Sequence, residues 1–273
     1  MKVPDYLYDL FPELENTFEQ IKIHLMALEQ CKLNELYPKQ NNIVLARTVY
    51  QFAVYNQIVL LRVIDLSDGI LNSWANKNIS SAFILLRALD ENVSAIYDAN
   101  IRLEKLIKEK DFIGIYKLIF NLQFGTRIKE RIKQALEKEK GLRESEEALK
   151  VTDEEIEKAY SAQQILSVMD RISKIFPHHR DIYEYLCEYA HPNYDGLNGL
   201  YCHWEDKVTV KLSKENGVSK GNASKYFSSL EFFLKMFVEG HDGIIRKFND
   251  ITELSNEDLR SKRKDAEIYK KLP

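Results

Sequence analysis

Proline and glycine are scarce in this sequence, at 6 and 10 of 273 residues. An all-β chain needs a turn about every ten residues, and turns draw heavily on those two residue types. The scarcity therefore favours long helices. Cysteine is scarce as well. Cys31, Cys187 and Cys202 are odd in number and follow no recognisable spacing, which suits reduced thiols rather than a disulfide framework. A basic excess is missing too: 39 Lys and Arg face 42 Asp and Glu, for a net charge of −3. Constitutive duplex-DNA binding draws on a strong positive field and is not expected here, whereas brief contact with RNA remains compatible. There is no long apolar run. The most apolar stretch, 54–66, is interrupted by Asn56, Gln57, Arg62 and Asp65, and falls short of the roughly 18 residues a membrane span needs. The opening Met1-Lys2-Val3-Pro4-Asp5 lacks the basic-then-apolar pattern of a secretory signal. A cytoplasmic protein with no membrane contact is the expectation.

What the sequence does contain is helical periodicity. Leu14, Phe18, Ile21, Leu25, Leu28 and Cys31 recur every three or four residues, predicting a helix from near Pro12 to about Leu36. A second helix carries Leu45, Val49, Phe52, Val59, Val63, Leu66 and Ile70. A third, capped by Asn78, Ser80 or Ser81, runs to Lys108 with Ala82, Leu86, Leu89, Val93, Ile96 and Leu103 as its core stripe. A fourth starts at Asp111 and becomes highly charged from Arg127 to Lys140. Thr152 and Glu155 form a capping box for a fifth, which ends before Pro177. A sixth spans about Arg180 to Ala190 and stops at His191-Pro192, because proline disfavours continuation.

Turn chemistry follows at Asn193 to Gly199, and then the only strand-like segments. Tyr201–Trp204 and Val208–Leu212 flank Glu205-Asp206-Lys207 and read as a hairpin. A last helix from about Ala223 to Asn249 aligns Phe227, Leu230, Phe233, Phe237, Ile244 and Phe248. The fold expected is an all-α antiparallel bundle of about seven helices with a small hairpin near 201–212. Residues 1–254 read as a single helical domain with a possible sub-boundary at 141–151, and 255–273 as a polar basic tail, short helix or disordered.

Two polar groups stand out against this scaffold. Arg87 and Glu91 are four apart and share a helix face flanked by Phe83, Leu85, Leu86 and Leu89; charges there must be paired to be tolerated. Glu188 and His191 are three apart at the end of the sixth helix. Both the helix dipole and Glu188 would favour a protonated His191, which suits general acid or base chemistry. Each group also has a structural reading: an ion pair at the bundle margin, and a histidine that caps a helix. His178, His179, Glu188, His191, Cys202 and His203 match no zinc spacing, so no metal or cofactor is expected.

The segments Leu85-Leu86-Arg87-Ala88-Leu89-Asp90-Glu91 and Tyr185-Leu186-Cys187-Glu188-Tyr189-Ala190-His191-Pro192 resemble the paired signatures of a loose family of uncharacterised bacterial all-helical proteins. In that family an Arg-x-x-x-Glu helix precedes a Leu-Ser-x-x-x-His-Pro segment, and here Cys187 replaces the small hydroxyl residue. The group is similar to HEPN-like helical domains, many of them metal-independent ribonucleases of toxin and phage-defence systems. The hallmark Arg–polar–spacer–His run is not reproduced: in Arg171 to His178 the polar position holds Ile172, and Pro177 intervenes. The resemblance implies RNA as substrate, a homodimer, and catalysis by Arg87, Glu91, Glu188 and His191. The alternative is a non-catalytic helical interaction or small-ligand-binding protein in which the same four residues tie the bundle together.

Overall fold

A computed structural model describes residues 2–32, 43–125, 128, 130–131, 134, 164–191, 194–213 and 220–269. It contains α1 (Asp5–Leu10), a 3-10 turn (Pro12–Leu14), α2 (Glu15–Gln30), α3 (Ile43–Ala75), α4 (Ile79–Lys108) and α5 (Phe112–Phe124). These are followed by α6 (Ile165–Ile172), α7 (His179–Ala190), α8 (Tyr194–Tyr201), β1 (Cys202–Trp204), β2 (Val210–Leu212) and α9 (Lys220–Tyr269). The protein is thus all-α with one small antiparallel hairpin. No described helix is long and apolar enough to cross a membrane.

The chain divides into two compact units, each assembled from segments distant in sequence. The first takes residues Met1–Asn34, Gln57–Asp98 and Val168–Asp242; the second takes Glu35–Asn56, Ala99–Ser167 and Gly243–Pro273. In the first unit every residue of the α2 stripe from Phe18 to Leu28 is buried, as are Ala82, Leu86, Leu89, Val93 and Ile96 of α4. An aromatic knot joins helices here: Phe227 of α9 packs 4.9 Å from Phe18 and 4.8 Å from Trp74, and Tyr226 lies 4.9 Å from Phe83. The Tyr226 hydroxyl donates to the Ala82 carbonyl at 2.8 Å, so its polar end is satisfied inside the core. A Cβ on Gly240 would meet the Tyr97 backbone at 3.3 Å; glycine is what lets α9 approach α4 this closely. In the second unit Leu103, Ile115, Leu118, Ile119 and Ile251 are buried, and Phe52 packs edge-on against Phe248 at 5.9 Å.

Local chemistry explains most element ends. Asn78 caps α4 by accepting from the Ser81 amide at 3.4 Å. Asp111 caps α5 by accepting from Gly114 at 2.8 Å. His191 leaves α7 in extended backbone, φ −102° and ψ 153°, as the Pro192 that follows demands. In the hairpin Asp206 accepts from the amides of Val208 and Thr209 at 2.8 and 2.7 Å, which closes the turn. Cys202, His203 and Trp204 then pair with Leu212, Lys211 and Val210.

Three expectations need correction. The helix expected from near Pro12 opens as a 3-10 turn and becomes α2 at Glu15, and a separate helix that was not expected, α1, precedes it and ends where Phe11 leaves helical geometry at φ −132°. The turn chemistry of Asn193 to Gly199 becomes, from Tyr194 on, the helix α8. Burial of Gly196 and Leu200, with the Tyr189 ring close enough that a Cβ on Gly199 would lie 3.5 Å from it, outweighs weak helix propensity there. The tail continues as helix through Tyr269 rather than ending at Asn249. The capping box at Thr152 and Glu155 lies outside the described residues, as does most of the charged stretch from Arg127 to Lys140.

Candidate functional site

Within the first unit, α4 faces α6 and α7 through a ladder of polar contacts. Going backwards along α4, the partners advance along the other two helices, so α4 and α7 run antiparallel. Asp98 receives two hydrogen bonds from Arg171, at 2.6 and 2.8 Å. Next, Asp90 Oδ1 meets His179 Nε2 at 2.9 Å and accepts from Ser94 Oγ at 3.0 Å, while Ser94 Oγ lies 3.1 Å from the same imidazole nitrogen. One helical turn on, Arg87 Nη2 donates to the Tyr183 hydroxyl at 3.3 Å, and that hydroxyl donates to Glu91 Oε1 at 3.3 Å. At the end of α7, Arg87 Nη1 reaches His191 Nε2 at 3.2 Å. Beyond this the ladder turns aromatic, with Phe83 stacked on Tyr189 at 4.3 Å.

Burial changes along the ladder and is deepest at its middle rung. Asp90 and His179 side chains are fully buried, whereas Arg87 and Glu91 are 26% and 35% exposed and His191 is exposed. The network meets solvent at both ends, at the Arg87 rung and at Arg171, which is 38% exposed; only the Arg87 rung brings a histidine to the surface. Arg87 Nε also faces Glu91 Oε1 at 3.4 Å, an ion-pair distance without hydrogen-bond alignment. Its Cζ lies 5.5 Å from the Tyr183 ring centroid, within cation–π range. One guanidinium is therefore held by a carboxylate, a phenol ring and its hydroxyl, while Nη1 points to the imidazole.

The electrostatics argue against Cys187 as a nucleophile. Burial pushes the Cys187 thiol above its usual range, and the nearby Arg87 charge only partly opposes this. A thiol in that state is a poor nucleophile. Burial likewise raises the Tyr183 hydroxyl, with the hydrogen bond from Arg87 acting the other way, so Tyr183 stays protonated and able to donate. Deeper in, burial raises the Asp90 carboxyl, although His179 and Ser94 both pull it down. Asp90 Oδ2 and His179 Nδ1 are buried with no hydrogen-bond partner, a costly arrangement in a native core.

The structure brings Arg87, Glu91 and His191 together, and sets Glu188 on α7 one turn before His191. Cys31, His241 and Asp242 are the described residues whose donor atoms gather closely enough to hold a metal ion; the histidines and cysteines near α7 and the hairpin do not. Arg171 and His178 do not form a pair: Arg171 is engaged by Asp98, and His178 lies 3.9 Å from Asp181. Sequence reading overlooked Tyr183 and the inner rungs. A signal existed, since Asp90, Ser94 and Asp98 repeat every four residues on α4 and are all buried, a polar stripe beside the apolar one.

A model of DUF5677, a family of unknown function, matches residues 58–208, more than half of the chain. That span holds α4, α6, α7 and every rung of the ladder. No curated protein and no solved structure matches the chain at a significant level.

Proposed function

We propose that this chain, which belongs to the DUF5677 family of unknown function, is a HEPN-like protein of a bacterial defence or toxin type that cleaves RNA without a metal ion. The observation supporting this reading is the 3.2 Å contact between Arg87 Nη1 and His191 Nε2 at a solvent-facing end of the polar ladder. A guanidinium has no acceptor, so Nε2 must present its lone pair and the imidazole is neutral with its proton on Nδ1. A phosphodiester anion is a stronger partner for a guanidinium than a neutral imidazole is. When phosphate takes Nη1, it releases the Nε2 lone pair beside itself. Glu91 and Tyr183 retain the other edge of Arg87.

His191 then takes the proton from the 2′-hydroxyl, O2′ bonds to the adjacent phosphorus, and the P–O5′ bond breaks. The departing oxygen takes a proton from water, and the imidazolium returns its proton to solvent. Arg87 stabilises the charge that builds on the non-bridging oxygens. Glu188, one turn before His191, orients the ring. The 2′-hydroxyl restricts the reaction to RNA. A homodimer belongs to the same proposal through the HEPN resemblance, and a cytoplasmic setting through the three cysteines that follow no disulfide spacing.

The test is incubation of the full chain with single-stranded and structured RNA in EDTA, beside His191→Ala. The expected outcome is cleavage to 2′,3′-cyclic phosphate ends, reduced on the order of 100-fold or more in the variant at unchanged melting temperature. If the folded parent leaves both RNAs intact, the ribonuclease reading fails. If His191→Ala lowers the melting temperature markedly and leaves any cleavage unchanged, the cluster is a structural tie.

A further inference from the structure

Outside the ladder, three potential metal ligands meet on the first unit. Cys31 closes the C-terminal end of α2, and His241 and Asp242 are consecutive on α9. One donor atom from each lies within 4.8 Å of the other two, and among the described residues no other His, Cys, Asp and Glu trio gathers this closely. We propose that Cys31, His241 and Asp242 bind a divalent transition-metal ion, and that the ion is zinc.

The geometry is compatible with one ion. A tetrahedral zinc with bonds of about 2.3 Å to sulfur and about 2.0–2.1 Å to nitrogen or oxygen holds its donors about 3.3–3.6 Å apart. His241 Nδ1 stands 3.6 Å from Asp242 Oδ1, long for a hydrogen bond but matched to an edge of that tetrahedron, and the donor atoms of all three residues lie within 4.8 Å of one another. The His241 side chain is 1% exposed and packs beside the Phe237 ring at 5.6 Å, so its orientation is fixed by the core rather than by solvent.

The donor set chooses the metal. One thiolate, one imidazole and one carboxylate suit zinc, whereas magnesium and calcium take all-oxygen shells. Asp242 is half exposed, so the ion enters from solvent there. Three protein ligands leave a fourth position for water. The ion would tie the end of α2 to α9.

The test uses cobalt(II) as the probe, added to the EDTA-stripped, desalted full chain and followed by absorption. One equivalent should produce a thiolate-to-cobalt charge-transfer band and intense tetrahedral d–d bands, both displaced by zinc. Cys187→Ser and Cys202→Ser should keep the bands. Cys31→Ser should abolish them, and the exposed-site variant Asp242→Asn should weaken cobalt binding by at least about 10-fold, since removing a direct ligand costs no less than removing its outer-shell support. The proposal is overturned by the absence of a band at one equivalent, by a band that survives Cys31→Ser, or by unchanged affinity in Asp242→Asn.

Discussion

Arg87 and His191, 104 residues apart in the chain, meet at 3.2 Å. The distance is set by the antiparallel register of α4 and α7, which the Asp90–His179 contact at 2.9 Å pins one turn deeper. The buried Asp90–His179 rung and the part-buried Asp98–Arg171 rung hold the helices so that a long, partly exposed side chain has a defined partner. This is the support a binding or catalytic constellation needs.

Tyr183 is a positioning residue, and its hydroxyl can be removed with little change in volume. Tyr183→Phe deletes both the bond accepted from Arg87 and the one donated to Glu91. Two part-buried bonds of this kind predict a stability loss of about 1 kcal/mol, a fall of about 2–4 °C in melting temperature. If the cluster cleaves RNA, kcat should fall about 10-fold with little change in KM, because phosphate still meets Arg87 but at a looser angle. A fall in melting temperature with unaltered kcat would limit Tyr183 to a structural role.

Asp90 predicts an unusual pH response. Its folded carboxyl is raised by burial above the unfolded value of 3.8. Such a group contributes stability that is complete below about pH 4 and is lost as pH rises through its folded value. Wild type should therefore lose stability relative to Asp90→Asn as pH rises above about 4, opposite to the usual trend for paired carboxylates. Urea unfolding of both proteins across that range checks the sign, and a constant offset between them would contradict it.

Lys110 adopts φ 54° in a helix-terminating turn where the Asp111 amide donates to Leu106 at 3.0 Å. A left-handed conformation costs an L-residue about 1–2 kcal/mol. Glycine recovers this, and its greater freedom in the unfolded chain offsets only part of the gain. Lys110→Gly should stabilise by about 0.5–1 kcal/mol and Lys110→Val should destabilise. Thermal unfolding of the two variants should shift in opposite directions.

Much of the scaffold was legible because helix formation and burial are periodic. Every residue of the α4 stripe predicted from spacing, Ala82 through Leu103, is fully buried. The stop at His191 followed from the proline after it. The three residues Arg87, Glu91 and His191 were legible as a polar group that the structure brings together, since charged and titratable side chains on apolar helix faces stand out in one dimension. Tyr183 was not: a tyrosine among Tyr185, Tyr189 and Tyr194 has no mark that separates the one reaching Arg87 from the others.

The sequence by itself determined where most helices begin, which face of each is apolar, and where a short hairpin interrupts them. These are local properties, set by spacing, caps and proline. Only the tertiary structure decided that Tyr194–Tyr201 is helical despite two glycines and an asparagine, and that α4 and α7 pack so that Arg87 meets His191. Propensity differences run from tenths of a kcal/mol to about 1 kcal/mol for glycine, and burial of a large apolar side chain to about 1.5–3 kcal/mol. Where packing and local preference disagree, packing prevails, and the pairing of distant helix turns is a property of packing alone.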